Sequence, residues 1–264
     1  MATQTQRVGT VGHTQFKASA ALDNNNAGFH NSLYRGKKLG TSVSADQYAQ
    51  ISAGTFDDMF IGDYWEINSV IWRIAAFDYW LHDGDTECQT HHVVIVPDSN
   101  LATAKMNNSN TTTGGYVGCD YYTAANSNTG KATAKTAIEG AFGSAHILSH
   151  RELLSNAVTN GAASGWAWYD STFELMNEVM VFGCPVSGAQ KTGDTNFNVG
   201  IDRNILPLFA HKPDLVCNRA GWWLRDVVSA TNFANVNNNG NANNNGASNS
   251  NGIRPDFGGR ISPL

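Results

Sequence analysis

The stretch from Thr231 to Gly252 constrains this chain more than any other. Asn stands at 232, 235, 237, 238, 239, 241, 243, 244, 245, 249 and 251, and the residues between are nearly all Gly, Ala or Ser. Only Phe233 and Val236 are large and apolar. Such a run inside a chain reads either as a low-complexity linker or as a tight, folded, loop-rich segment. Its flanks favour the folded reading. Trp222-Trp223-Leu224-Arg225-Asp226-Val227-Val228 precedes it and Gly252-Ile253-Arg254-Pro255 follows, and both look like core strands. Small residues let a backbone fold back closely without demanding side-chain packing. The segment is therefore expected to be ordered and to draw its stability from its surroundings.

Those surroundings are ample. The chain has 264 residues, 41% hydrophobic and 10% aromatic, enough to bury the core of one large domain. Only 15% are charged, so solubility leans on Asn, Thr, Ser and Gly. A net charge of −5 supplies no basic excess to neutralise phosphates, which argues against a nucleic-acid partner. No apolar run approaches the ~20 residues of a membrane span. The polar start, Met1 to Gly12, lacks the apolar region of a secretory signal. Cys88, Cys119, Cys184 and Cys217 contain no C-x-x-C pair, so buried or half-buried free thiols made in a reducing cytoplasm are expected, rather than a zinc site or a disulfide framework.

Patterning divides the chain into an N-terminal arm, residues 1–56, and a domain, residues 57–264. Met1 to Asn31 is polar and without apolar period; Ser44-x-x-Gln47 is a capping box opening a short helix. Phe60 to Ile67 and Val70 to Phe77 predict a hairpin turning at Asn68-Ser69. A third strand, His92 to Val96, stops at Pro97-Asp98. Ala132 to Ala157 predicts a helix from its spacing of Ile138, Phe142, Ala145, Leu148 and Leu153. A second capping box, Ser171-Thr172-Phe173-Glu174, predicts a helix through Met180 ending at Gly183, and Trp166 and Trp168 before it read as core anchors. After a Gly- and Asn-rich loop, Ser187 to Asn204, short strands are expected at Leu206 to Ala210, Trp222 to Val228 and Ile253 to Phe257. Strands, then helices, then strands make the fold class α+β.

The order Trp223-Leu224-Arg225, Phe233-Ala234-x-Val236, Gly240-x-Ala242, Gly246-Ala247-Ser248-x-Ser250, Gly252-Ile253-Arg254-Pro255 resembles the C-terminal variable region of diversity-generating retroelement proteins. That family has a C-type-lectin-like fold related to the formylglycine-generating-enzyme domain, and the phage major tropism determinant typifies it. Further likeness to its gut-phage branch lies in Leu33-Tyr34-Arg35-Gly36-Lys37, Phe60-Ile61-Gly62-Asp63-Tyr64-Trp65, Ala76-Phe77-Asp78-Tyr79, His91-His92-Val93-Val94-Ile95-Val96-Pro97-Asp98, His146-Ile147-Leu148-x-His150-Arg151 and Glu174-Leu175-Met176-Asn177-Glu178, so that it spans roughly residues 32 to 257.

The resemblance implies a non-catalytic, hypervariable binding protein of a phage or prophage, carried on the virion at tail or capsid and needing no cofactor. Its variable region would be residues 222–257. In such systems a reverse transcriptase copies a template repeat with errors at adenines, and Asn codons begin with two adenines. An Asn-saturated region is what a barely mutated copy would encode. The eleven asparagines would face a host-surface receptor, protein or glycan, while Trp222, Trp223, Leu224, Arg225, Arg254 and Pro255 support them. The arm would join other virion proteins, and a homo-oligomer, a trimer by analogy, is expected. With no aromatic or Arg anchor inside the run, this copy is expected to bind weakly.

Competing chemistry is thin. His146 and His150, on one face of the expected helix with Glu152 nearby, resemble a metal pair without a third ligand, and satisfied structural histidines are the expectation. His91, His92 and Asp98 hint at acid–base work, yet neighbours on a strand point to opposite faces. Asp83, Asp85 and Glu87 alternate in a loop, for calcium or simply for solvent. The cysteine pair of the related sulfatase-activating enzymes has no counterpart here. An enzyme on that scaffold, with the Asn stretch as a lid, and a purely structural virion decoration protein are the alternatives.

Overall fold

A computed structural model describes residues 26–188 and 198–260. Residues 1–25 of the arm and the centre of the Gly- and Asn-rich loop lie outside these residues. Helix α1 (Ala27–Asn31) starts under the Asn26 side chain, which accepts the Phe29 N–H at 3.0 Å. Strand β1 (Lys38–Gly40) and helix α2 (Ala45–Ala53) follow. The capping box forms as expected, with Gln47 N–H on Ser44 Oγ at 3.1 Å and Ser44 N–H on Gln47 Oε1 at 2.9 Å. Strands β2 (Tyr64–Ile67) and β3 (Val70–Phe77) make the expected hairpin. Its turn residues Asn68 and Ser69 have φ of 53° and 64°, the left-handed pair that matches strand twist.

Strands β4 (Val93–Pro97) and β5 (Ala102–Ala104) lead to helices α3 (Asp120–Thr123) and α4 (Gly130–Phe142). Then come β6 (His150–Thr159), β7 (Ala162–Ser171), β8 (Glu174–Leu175), α5 (Glu178–Phe182) and α6 (Pro207–His211). The chain ends in β9 (Trp222–Val227), β10 (Asn232–Val236), β11 (Ala242–Gly246), β12 (Asn251–Ile253) and β13 (Pro255–Gly259). The fold is α+β. Strand order is β1-β2-β3-β4-β13-β8 in one sheet, β11-β10-β9-β12-β5 in a second, and β6-β7 form a third. Consecutive strands β12 and β13 belong to different sheets, so the chain crosses between them at Arg254. Helix α4 packs on the first sheet through Phe142, whose ring meets Trp72 and Phe257 edge-on at 5.4 and 5.1 Å.

Several expectations are corrected. The helix of Ala132 to Ala157 ends at Phe142, where Gly143 takes φ 79°; a 3-10 turn, Ser144–His146, follows, and strand β6 takes over from His150. There burial alternates through His150, Glu152 and Leu154, a period of two disguised by two polar residues. Ser171 closes β7 instead of capping a helix; α5 begins later, under Asn177, whose Oδ1 accepts the Met180 N–H at 2.8 Å, although it ends at Gly183 as expected. Residues 206–210 are mostly helical, since Pro207 supplies a preset first helical position. Trp166 and Trp168 lie half-buried along β7 and pack against the core rim.

The boundary after residue 56 is not where packing ends. Strand β1 pairs with β2, Trp65 Nε1 donates to Gln47 Oε1 at 3.0 Å, and Asn31 clasps both backbone groups of Phe77. Residues 26–56 are thus built into the domain.

Candidate ligand-binding face

The Asn run forms strands. Asn is a poor strand former, so the pairing is imposed by neighbours rather than by propensity. Strand β10 is inserted between β9 and β11, with Phe233, Ala234, Asn235 and Val236 all buried. Strand β11 lies outboard, in register Phe233↔Asn245, Asn235↔Asn243 and Val236↔Ala242. Ala247 is buried just beyond, and its N–H donates to Thr231 O at 2.8 Å, closing the base of the hairpin.

This arrangement sorts the eleven asparagines. Asn238, Asn239, Asn241, Asn243, Asn244 and Asn249 are exposed, and Asn232, Asn237, Asn245 and Asn251 are half-buried. Asn232 Nδ2 donates to Asn244 Oδ1 at 2.8 Å across the ladder, and Asn249 Nδ2 donates to Asn245 Oδ1 at the hairpin base. Asn237 Oδ1 accepts the N–H groups of Asn239 and Asn241 at 2.9 and 3.0 Å, so this side chain builds the hairpin tip. Gly240 at the tip has φ 85°, and a Cβ there would stand 2.8 Å from Cys217 Cβ.

Two asparagines depart from the expected surface role. Asn235 is 3% exposed; its Nδ2 reaches Val236 O at 3.3 Å while its Oδ1 is buried without a partner. Phe233, Ala234 and Val236 are buried with it, so successive side chains of β10 are covered whichever face of the sheet they take. Asn251 stands in β12, across β9 from the hairpin, with its Nδ2 buried and unpartnered. The nine others gather on one hairpin and its base.

All six expected support residues are buried. Trp222 Nε1 donates to Val216 O at 3.2 Å, and Trp223 Nε1 to Ala104 O at 2.9 Å, so neither indole leaves a buried donor unsatisfied. Leu224 lies in β9 and Pro255 opens β13 opposite Leu175. Arg254 is 1% exposed and meets only carbonyls: Pro97 at 2.7 Å, Leu215 at 3.0 Å and Val216 at 3.3 Å, with Trp222 and Phe209 rings at 5.1 and 5.6 Å. Burial lowers its pKa to about 10, partly offset by the nearby Asp98 charge.

Arg225 anchors a buried polar network that the sequence did not signal. Its guanidinium pairs with Asp202, reaches Glu152 Oε2 at 3.4 Å and donates to Leu175 O at 3.2 Å. Trp80 Nε1 donates to Asp202 at 2.8 Å, and the Trp80 ring stacks on His150 and His92 at 4.0 and 5.3 Å. Burial, reinforced by Asp202, pushes the Glu152 carboxyl well up, and the same causes raise Asp256. Burial opposes ionisation of Asp202 as well, but the Arg225 charge and hydrogen bonds outweigh it and hold that carboxyl down. Burial also drives His150 down to about 3. The network is thus centred on the Arg225–Asp202 ion pair. Partners from β6, β9 and the 198–206 loop explain why no local motif announces it.

The residues of the competing sites lie apart or pair with other groups. His146 stacks on Tyr48 at 4.0 Å and His150 sits in β6, so they do not share a helix. Asp98 pairs with Arg73; it is Asp78 that meets the His91 ring at 2.7 Å and accepts the His92 backbone N–H at 2.9 Å. Asp83, Asp85 and Glu87 pair with Arg203, Arg151 and His82. Among the described residues no group of three or more His, Cys, Asp or Glu side chains is arranged to hold a metal ion. All four cysteines are free; Cys184 is exposed rather than covered, and burial pushes the Cys119 thiol up to about 12. No described helix is long and apolar enough to cross a membrane.

Beside Ser250 opens a polar groove of about 310 Å³, lined among others by Thr103, Lys105, Asn108, Asp120 and Asn126. No curated protein and no solved structure matches the chain. A family described as a domain of unknown function, DUF6273, matches residues 148–258, which run from just before β6 into β13 and take in the Asn hairpin together with its buried supports.

Proposed function

We propose that the chain is a non-catalytic binding protein whose Asn-bearing hairpin contacts a host-cell surface receptor, and that it is a variable protein of a diversity-generating retroelement with a C-type-lectin-like fold. The observation that carries this reading is the separation of roles within one segment. Exposed amides at 238, 239, 241, 243, 244 and 249 stand on an outboard hairpin, while the supports from Trp222 to Pro255 are buried. Side chains that do no packing are free to change, as on loops borne by a rigid sandwich. Carriage on a phage tail or capsid, attachment through the first residues, a homo-oligomer and a host protein or glycan as ligand belong to the same proposal.

Amides alone give a generic surface, because affinity concentrates in aromatic and Arg anchors. This copy is expected to bind host-surface fractions weakly in isothermal titration. Displayed libraries randomised at the six exposed positions should stay folded and yield tight binders to such fractions. Libraries that mostly unfold, or nanomolar binding by the present chain lost on deleting 232–251, would overturn the reading. A near-identical repeat downstream of the gene, differing at template adenines and lying beside a reverse transcriptase gene, is the further expectation. Its absence would remove the retroelement part alone.

A further inference from the structure

Strand β11 is the outer strand of its sheet, and ladder parity determines which of its backbone groups are engaged. Asn237 N–H donates to Asn241 O at 2.9 Å and Ala247 N–H to Thr231 O at 2.8 Å. In an antiparallel ladder the odd residues Asn243 and Asn245 therefore exchange bonds with Asn235 and Phe233. The even residues Ala242, Asn244 and Gly246 turn their N–H and C=O outward. Gly246 N–H donates to Asn245 Oδ1 at 3.0 Å, and Gly246 O accepts from Asn249 N–H at 2.9 Å. Among the described residues no strand faces Ala242 and Asn244 on that side.

Open edges are ordinarily guarded by Lys, Pro, a bulge or a cover. From Asn232 to Gly252 there is no charged residue and no proline, and the β10–β11 register runs without a bulge. We propose that β11 pairs with β11 of a second copy of this chain, antiparallel about Asn244, to form one continuous sheet across a two-fold axis.

The register supports a second copy as the occupant. Setting Asn244 opposite its own image sets Ala242 opposite Gly246, so outward-turned residues meet outward-turned residues along the whole strand. Asn244 then exchanges both of its bonds, and Ala242 N–H reaches the remaining lone pair of Gly246 O. The Ala–Gly rungs carry no bulk to clash. Asn243 stands opposite Asn245, and every amide is both donor and acceptor, so no rung sets like against like. No charge has to be desolvated.

This pairing goes beyond the binding reading and does not depend on it. The pairing is made by main-chain bonds and needs no receptor. Two hairpins side by side would also turn single weak contacts into a bivalent one. A five-residue edge buries little surface, so the dimer is expected to be weak and concentration-dependent.

Sedimentation equilibrium of the full chain over a concentration series tests it. The expected result is a mass that doubles and goes no further. Asn244→Lys and Asn244→Asp place like charges against each other at the axis, and each alone should stay at monomer mass. Their equimolar mixture should return to dimer mass, because unlike charges then meet. A wild-type chain that stays monomeric or forms trimers overturns the proposal, and that arm needs no variant. Single variants that still dimerise, or a mixture that stays monomeric while wild type dimerises, overturn it equally.

Discussion

The Arg254 guanidinium sits where the chain leaves one sheet for the other, and it ties the two together by donating to backbone alone. Its carbonyl partners come from the end of β4 and from the turn before β9, and its flat face lies over Trp222. Removing it strands three carbonyls in a buried site and leaves a cavity. Arg254→Ala should cost about 3–5 kcal/mol in urea unfolding, combining lost packing with unmet acceptors. Arg254→Lys should recover only part of this, because one ammonium cannot span the same fork. Asn237 makes a smaller case of the same kind. Its side chain closes the hairpin tip, so Asn237→Ala should cost about 1 kcal/mol, whereas Asn237→Asp keeps the acceptor and should cost less.

At the scale of elements, the hairpin of β10 and β11 divides into an embedded strand and an outboard one. Substituting Asn238, Asn239, Asn241, Asn243 or Asn249 singly by Ser should change unfolding free energy by no more than about 0.5 kcal/mol. Gly240→Ala should cost clearly more, because the tip residue has positive φ and lies against Cys217. Equal costs at all these positions would mean that the exposed amides hold the hairpin together. The β2–β3 hairpin and the Ser44 helix were legible because turn and cap chemistry is local. Strands β10 and β11 were not: Asn carries little strand signal, and their pairing comes from β9 and the buried Phe233 and Val236. Strand β6 was hidden for a related reason, since His150 and Glu152 look exposed in sequence yet face inward. The Arg225 network had no signal beyond the arginine itself, its partners being scattered from Trp80 to Asp256.

Across the whole molecule, buried carboxyls and buried histidines pull stability in opposite directions with pH. Asp226, half-buried beside α5, accepts the Glu178 N–H at 2.7 Å; burial, with the Glu178 charge behind it, pushes its carboxyl up to about 7. An unfolded chain ionises this group near pH 4. Between about pH 4 and 7 the folded state thus holds a proton that the unfolded state has released, and stability falls as pH rises. His150, down at about 3, acts the other way. From the ordinary histidine value of about 6.5 down to 3, the unfolded state binds the extra proton, and stability falls as pH drops. The two slopes offset each other over the shared range. Asp226→Asn should remove the first, so that stability measured by urea melts climbs more steeply from pH 4 to 7 than in the wild type. An unchanged slope would mean that Asp226 titrates alike in both states.

The rung that joins Asn235 to Asn243 sets an enclosed amide beside an exposed one. If this segment is rewritten from generation to generation, the two codons meet unequal filters although they lie eight apart. Position 243 should accept charge, bulk or aromatic rings alike. Position 235 should keep only small or uncharged replacements, and the rest would be lost to misfolding before any receptor was met. A spectrum of surviving siblings that is broad at one and narrow at the other would record the fold's own veto on its diversity.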